Sequence, residues 1–232
     1  MSLGEEEYTV DQLYDMVVNP EKLKSYPGFK RALAMGISKD MAFYHDLPYE
    51  EIKGFINEEK DAIFSKIPGE VVEKNGLNWE HVGSTSIKGM PGTIYPDSLI
   101  LYNQYPPPRE AFDALMENGF MFIGSGPFHA ADLWFLKKVS RDGSRLHEAI
   151  FKIHLTPADL GPSLLLIETR DRCNANPADF EDYKNAKVEA AKHLESGNIM
   201  GYKGAKMASK LLQELTKKHG IAKPSGPPGP PK

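Results

Sequence analysis

The sequence predicts an α+β protein: a core of strands and helices with a helical C-terminal part. Three observations predict it. Apolar residues recur at helical spacing before Pro68 and again after Pro162. Between them lie short apolar runs of strand length, divided by Gly, Pro and Asn. The order is helices, then strands with a helix among them, then helices, which is a segregated pattern and not an alternating one.

Taken along the chain, Asp11 is placed to cap a first helix through Leu13, Tyr14 and Val17, and Pro20 and Pro27 interrupt it. A clearer helix runs from about Glu50 to Lys66, with Ile52, Phe55, Ile56, Ala62 and Ile63 on one face, and Pro68-Gly69 ends it. Val71-Val72 and Trp79 to Val82 read as a hairpin or strand pair turning at Lys74-Asn75-Gly76. A loop of small residues, Gly83 to Gly92, leads to a buried strand at Leu99-Ile100-Leu101. Pro106-Pro107-Pro108 opens a helix from Arg109 to Asn118, with Gly119 at the C-terminal cap. Phe120 to Ile123 reads as a strand, and Leu133 to Val139 with Glu148 to Leu155 as a hairpin turning near Asp142-Gly143. Pro162 to Asn174 is a helix. Asn176 caps the next, Pro177 opens it, and it runs to about Leu194. Lys206 to Lys218 is the last. This divides the chain into a helical N-terminal extension (1–47), a main domain (48–218) and a Pro/Gly-rich tail (219–232) that carries no core residues and reads as disordered.

Composition narrows the functional classes. The 232 residues suit one domain with extensions, and 41% hydrophobic with 26% charged residues is ordinary for a soluble protein. The single cysteine, Cys173, leaves no internal disulfide and no cysteine-based zinc cluster, and it favours a reducing compartment. A net charge of -4, from 28 basic and 32 acidic residues, lacks the basic footprint of a nucleic-acid binder. No apolar run reaches the roughly 18 residues of a membrane span. The start, with Glu5, Glu6 and Glu7, does not read as a secretory signal. The expectation is a cytoplasmic protein with no membrane or nucleic-acid partner; the oligomeric state is open.

The chemistry concentrates between Trp79 and Leu101. A strand that ends in Gly83-Ser84 brings backbone amides to a tight turn. Glycine allows a phosphate to approach closely, and the hydroxyls of Ser84, Thr85 and Ser86 can donate to its oxygens. Asp97, on the next strand, is a candidate ligand for a Mg2+ that bridges phosphate oxygens. Two Tyr-x-x-x-Lys pairs, Tyr183 with Lys187 and Tyr202 with Lys206, set each lysine beside its tyrosine on one helix face, where it can neutralise phosphate charge.

The stretch Trp79-Glu80-His81-Val82-Gly83-Ser84-Thr85-Ser86, followed by Gly89 and the strand aspartate Asp97, resembles the signature of the GrpB-like family, within the nucleotidyltransferase-fold proteins. Arg170-Asp171, Asn174-Ala175-Asn176-Pro177 and the two Tyr-x-x-x-Lys pairs extend the resemblance over about Pro48 to Leu215. It implies a nucleotidyltransferase-like mixed sheet and a protein that binds a nucleoside triphosphate and moves a nucleotidyl or phosphoryl group to a small acceptor. The implied site comprises Asp97, Ser84 and His154 for catalysis, and Gly83, Ser84, Thr85, Ser86, Lys187, Tyr202 and Lys206 for the nucleotide or another small anionic molecule. Asp97 and Glu148 are the implied ligands of Mg2+.

The sequence departs from the pattern at several places. Lys88 replaces a proline, and Thr93-Ile94 replace Lys-Pro before Asp97. Leu99 stands where nucleotidyltransferases carry a second carboxylate, so two metal ions lack a shared cage. Lys152-Ile153-His154 matches a His-x-His strand with His154 alone. The alternatives are a catalytically decayed binding module of the same fold and an interaction protein that uses the N-terminal helices and the tail.

Overall fold

The strand Asp97–Tyr102 is a continuous apolar run after its first two residues, and a strand with that composition is buried on both faces. In the computed structural model, which describes residues 8–23, 25–28, 30, 42–139, 143–144, 146 and 149–221, every residue of this strand after Asp97 is buried. It lies inside a five-stranded mixed sheet. In chain order the strands are β1 (Phe43–Tyr44), β2 (Asn78–Val82), β3 (Gly92–Thr93), β4 (Asp97–Tyr102), β5 (Met121–Ser125), β6 (Leu133–Lys138) and β7 (Ile150–Pro157). The main sheet runs β2-β4-β7-β6-β5, with β4 and β7 parallel and the other neighbours antiparallel. β1 and β3 pair separately.

The described helices are α1 (Val10–Val18), α2 (Pro20–Leu23), α3 (Tyr49–Phe64), α4 (Gly69–Asn75), α5 (Arg109–Glu117), α6 (Gly161–Ala175), α7 (Pro177–Glu195), α8 (Ile199–Ala205) and α9 (Lys210–Lys218). Side chains alternate across a strand, so the sheet has two unlike faces. On one, Ile100, Tyr102, Phe122, Leu133, Phe135, Phe151, Ile153 and Leu155 form the main core with Leu13 and Val17 of α1, Ile52, Phe55 and Ile56 of α3 and Phe112 of α5. On the other, Val82, Leu99 and Leu101 pack under Leu166 and Ile167 of α6. The register places Asp97 beside Lys152, Leu99 beside His154, and His154 beside Trp134. Asp97, Lys152 and His154 therefore share the second face.

Several expectations change. Val71 and Val72 are helical, in α4, and the partner of β2 is β4. Pro68 stands at the N-cap and Gly76, at φ 60, closes the helix in the left-handed conformation. That punctuation outweighs the strand preference of two valines. The first helix is capped by Thr9, in a reciprocal box with Gln12, and not by Asp11. The last helical stretch is divided: α8, a 3-10 turn at Lys206–Ala208, and α9, whose cap Ser209 accepts from the Leu212 amide at 3.3 Å. The segment before residue 48 is not set apart, because Leu13, Val17 and Leu23 join the main core. The β6–β7 hairpin is as expected. Most of its turn, with Glu148, lies outside the described residues, as does the expected tail from residue 222 on. Among the described residues no helix is long and apolar enough to cross a membrane.

Phe151 is fully buried and its ring meets those of Phe55, Phe120 and Trp79 at 5.3, 5.5 and 6.3 Å. Phe151→Ala is expected to lower the unfolding free energy in urea by about 3–5 kcal/mol, the usual cost of a large core cavity. An unchanged urea midpoint would show that this face of the sheet is not the main core.

Candidate functional site

Gly83 has φ 73, a conformation that favours glycine, and a Cβ there would stand 3.0 Å from Asp97 Oδ2. The turn behind it is held by its own hydroxyls. Ser86 Oγ donates to the Gly83 carbonyl at 2.6 Å, and Thr85 Oγ1 bonds His81 Nε2 at 3.0 Å. Thr85 and Ser86 are buried, so the hydroxyls expected as phosphate donors are engaged in shaping the loop. Ser84 is different. Its Oγ and Lys187 Nζ converge on Gly92, at 3.0 and 2.9 Å from where a Cβ would stand. Burial pushes the His81 pKa down to about 4, against the opposing pull of Asp97, so His81 is neutral and acts as a strut of the turn.

Around Asp97 the surroundings are cationic. Lys152 Nζ lies 3.4 Å from Asp97 Oδ1 and 4.0 Å from the centre of the Trp134 ring. Lys187, on α7, is 2% exposed and donates to Tyr202 Oη at 3.3 Å, with the Tyr183 and Tyr202 rings at 5.4 and 5.9 Å from its Nζ. The two Tyr-x-x-x-Lys pairs thus meet, because Tyr202 from α8 closes over the lysine of the first pair. Burial lowers the Lys187 pKa well below the usual lysine range, and Lys206 lowers it further while Asp97 opposes. Lys206, in the 3-10 turn, is shifted down by burial, with Asp97 opposing and Lys152 adding to the shift. Lys203 is pushed down to about 8 by burial of its ammonium and by Lys152 and Lys206. Burial pushes the Tyr202 hydroxyl up to about 12.

His154 is buried with its Nδ1 2.8 Å from Asp132 Oδ1, and Trp134 Nε1 donates to Asp132 Oδ2 at 2.7 Å. Burial alone would raise the Asp132 pKa, but His154, the Trp134 bond and Lys152 hold it below the carboxylate range. His154 Nε2 faces Asp97 Oδ1 at 4.0 Å. Sequence reasoning missed Asp132, Trp134 and Lys203. The first two sit at the entrance of β6, where no motif marks them, and Lys203 lies one residue after Tyr202, off the i,i+4 pattern.

Of the two expected Mg2+ ligands, Asp97 is described and Glu148 is not. Among the described residues no group of three His, Cys, Asp or Glu is placed to hold a metal ion. The one carboxylate facing the turn already has an ammonium 3.4 Å from Oδ1, whereas Mg2+ wants an open octahedral oxygen set. The position of the second acid is Leu99, 0% exposed under α6.

Over residues 49–218 the chain matches the family described as GrpB protein. The chain belongs to the GrpB family. A crystal structure of the conserved protein GrpB from Enterococcus faecalis is similar in fold, with a TM-score of 0.54 and 20% identity, covering 77% of this chain and 99% of that one. No curated protein matches the chain. Two of the motifs that this chain was read to share with the GrpB family have visible structural work. Arg170 Nη1 donates to Glu80 Oε2 at 2.6 Å and to the His81 carbonyl at 2.9 Å, tying α6 to β2 beside the turn. Asn176 accepts from the Ala178 amide at 2.9 Å and starts α7, which carries Lys187.

Two outcomes follow from this geometry. Gly92→Ala crowds Lys187 Nζ and Ser84 Oγ, and is expected to weaken binding of inorganic triphosphate at least tenfold in calorimetry while leaving the circular dichroism spectrum unchanged; undiminished binding would separate the two side chains from the site. The second concerns pH. The folded Lys203 pKa is near 8 against 10.5 unfolded, so the folded chain binds fewer protons between those values. Stability contributed by this group therefore rises with pH from about 8 towards 10.5. Lys187 and Lys206 act in the same sense, while Tyr202 opposes above pH 10. Urea unfolding across that window should show a rise that Lys203→Met reduces, and identical pH slopes for the two proteins would contradict the burial of the ammonium.

Proposed function

We propose that this protein binds a nucleoside triphosphate, or another small phosphorylated molecule, at the Gly83–Ser84 turn and passes a nucleotidyl or phosphoryl group to a small acceptor. One observation carries the reading: Lys152 Nζ lies 3.4 Å from Asp97 Oδ1 beside the turn, and the amino groups of Lys187, Lys203 and Lys206 feel the same carboxylate. Like charges so placed repel each other, and a polyanion relieves that repulsion. Phosphoryl transfer depends chiefly on positioning and charge neutralisation, and lysines supply here what metal ions supply elsewhere. The nucleotidyltransferase likeness of the sequence supports a nucleotide as the donor.

A second reading has its own observation. Leu99 occupies the place of the second acid and is sealed under α6, which favours a module that binds the phosphorylated molecule without transferring anything. Product formation separates the two readings.

Thermal unfolding with ATP, GTP, CTP and UTP, each with Mg2+ and with chelator, tests the binding. At a hundredfold excess over Kd a ligand stabilises by about 2.7 kcal/mol, which corresponds to roughly 5–10 °C in a domain of this size. The stabilisation is expected with chelator as well as with Mg2+, to be lost in Lys187→Met, and to grow in Asp97→Asn, which removes the one negative charge facing the phosphates. The absence of any shift with all four nucleotides and with inorganic triphosphate would exclude the reading.

A further inference from the structure

We propose that His154 and Asp132 form a base–carboxylate pair for a hydroxyl-bearing acceptor, water or an alcohol, whose reacting O–H donates to His154 Nε2. The inference rests on the reading above, in which a phosphorylated donor occupies the lysines, and it names the class of acceptor and the residues that handle its proton.

His154 is 5% exposed, and its Nδ1 is committed to Asp132 at 2.8 Å. Asp132 is in turn held by the Trp134 N–H at 2.7 Å, and the Trp134 and His154 rings meet edge to face at 5.4 Å. An ionised carboxylate only accepts, so Nδ1 carries a proton, and in the neutral tautomer that this contact selects Nε2 is bare. That nitrogen is buried and has no hydrogen-bond partner, and the same is true of Asp97 Oδ1. Buried polar atoms without partners are rare and costly. The two are 4.0 Å apart, too far for a direct hydrogen bond but right for a water seated about 2.7–2.8 Å from each, which has one hydrogen for either acceptor. A metal ion fits the gap poorly. Two bonds of about 2.0–2.2 Å would have to open well beyond the tetrahedral angle to span it, and among the described residues no group of three His, Cys, Asp or Glu is placed to hold a metal ion. Lys152 Nζ lies 3.4 Å from the same Asp97 Oδ1, at the edge of the gap.

The step balances as follows. The acceptor O–H bond breaks and its proton goes to His154 Nε2. The acceptor oxygen forms a bond to the donor's phosphorus. The bond from that phosphorus to the leaving phosphate or pyrophosphate breaks, its electron pair departs with the leaving group, and the lysine ammoniums offset the charge. Asp132 does not touch the acceptor. It is a positioning residue that fixes the tautomer and stabilises the imidazolium that forms.

The test uses the full-length protein with ATP as donor and with water or glycerol as the hydroxyl acceptor, measuring phosphate and pyrophosphate release. Wild type is expected to turn over. His154→Gln should lower kcat about 10²–10⁴-fold, and Asp132→Asn should lower it in the same direction. Both should leave KM and the ATP-dependent rise in Tm unchanged. Because both positions are buried, nitrogen-15 NMR of the imidazole in the wild-type chain gives a second readout that does not depend on a variant folding. Once the imidazole is neutral, His154 should carry its proton on Nδ1, and in Asp132→Asn the proton should move to Nε2. A purely structural role for Asp132 would not produce that shift at constant KM. The proposal is overturned by a protonated Nε2 in wild type, by His154→Gln turning over at the wild-type rate, or by a wild type that ATP stabilises but that transfers to neither acceptor. In the last case the phosphate-binding reading stands alone; a wild type that no nucleotide stabilises removes both.

Discussion

The repulsion among the lysine ammoniums around Asp97 governs how the second half of the chain is built. Lys152 enters from β7, Lys187 from α7, Lys203 from α8 and Lys206 from the turn after it. Charges taken out of water cost several kcal/mol each unless they are paired, and one carboxylate cannot pair them all. The folded chain responds by lowering the pKa values of Lys187, Lys203 and Lys206, most strongly at Lys187. In the proposed function an anion offsets the cost of such a site. Perturbed groups gathered in one place are a feature of functional sites.

The remaining structure holds this unfavourable cluster in place. The main core lies on the opposite face of the sheet, where aromatic rings from β5, β6 and β7 pack against α1, α3 and α5. On the site face, Arg170 fastens α6 to β2 next to the turn. Asp182 of α7 accepts from Ser209 Oγ at 2.7 Å and from the Leu211 amide at 3.0 Å, which fixes the start of α9 against α7. The helices that carry the lysines are therefore braced to the sheet and to one another by polar contacts remote from Asp97. This permits a strained electrostatic centre without local unfolding.

Periodicity sufficed for the long helices and for the central strands, because α3, α5, α7, β4, β6 and β7 have tertiary partners that agree with their local patterns. It failed at Val71-Val72, where a seven-residue helix is set by Pro68 and Gly76 and the valines' strand preference loses to those two residues. At the site, Gly83 and Asp97 were legible, because a positive φ and a close carboxylate approach both demand glycine at that position. The convergence of the two Tyr-x-x-x-Lys pairs was legible only as two separate pairs: Tyr202 reaches Lys187 through a tertiary contact over 15 positions. Asp132 was invisible for the same reason, being joined to His154 across 22 positions by the β6–β7 register. Thr85 and Ser86 have the residue types of phosphate donors, and only the folded turn shows their hydroxyls turned inward.

The central claim is that Lys187, Lys203 and Lys206 hold their protons less tightly in the folded chain and recover them when an anion binds. Calorimetry of inorganic triphosphate binding near pH 8, repeated in buffers of different ionisation enthalpy, measures that recovery directly. The account predicts net proton uptake on binding that falls when Lys203, whose pKa is about 8, is replaced by Met. Tight binding with no proton uptake would contradict it, because the ammoniums would then already be charged in the empty site.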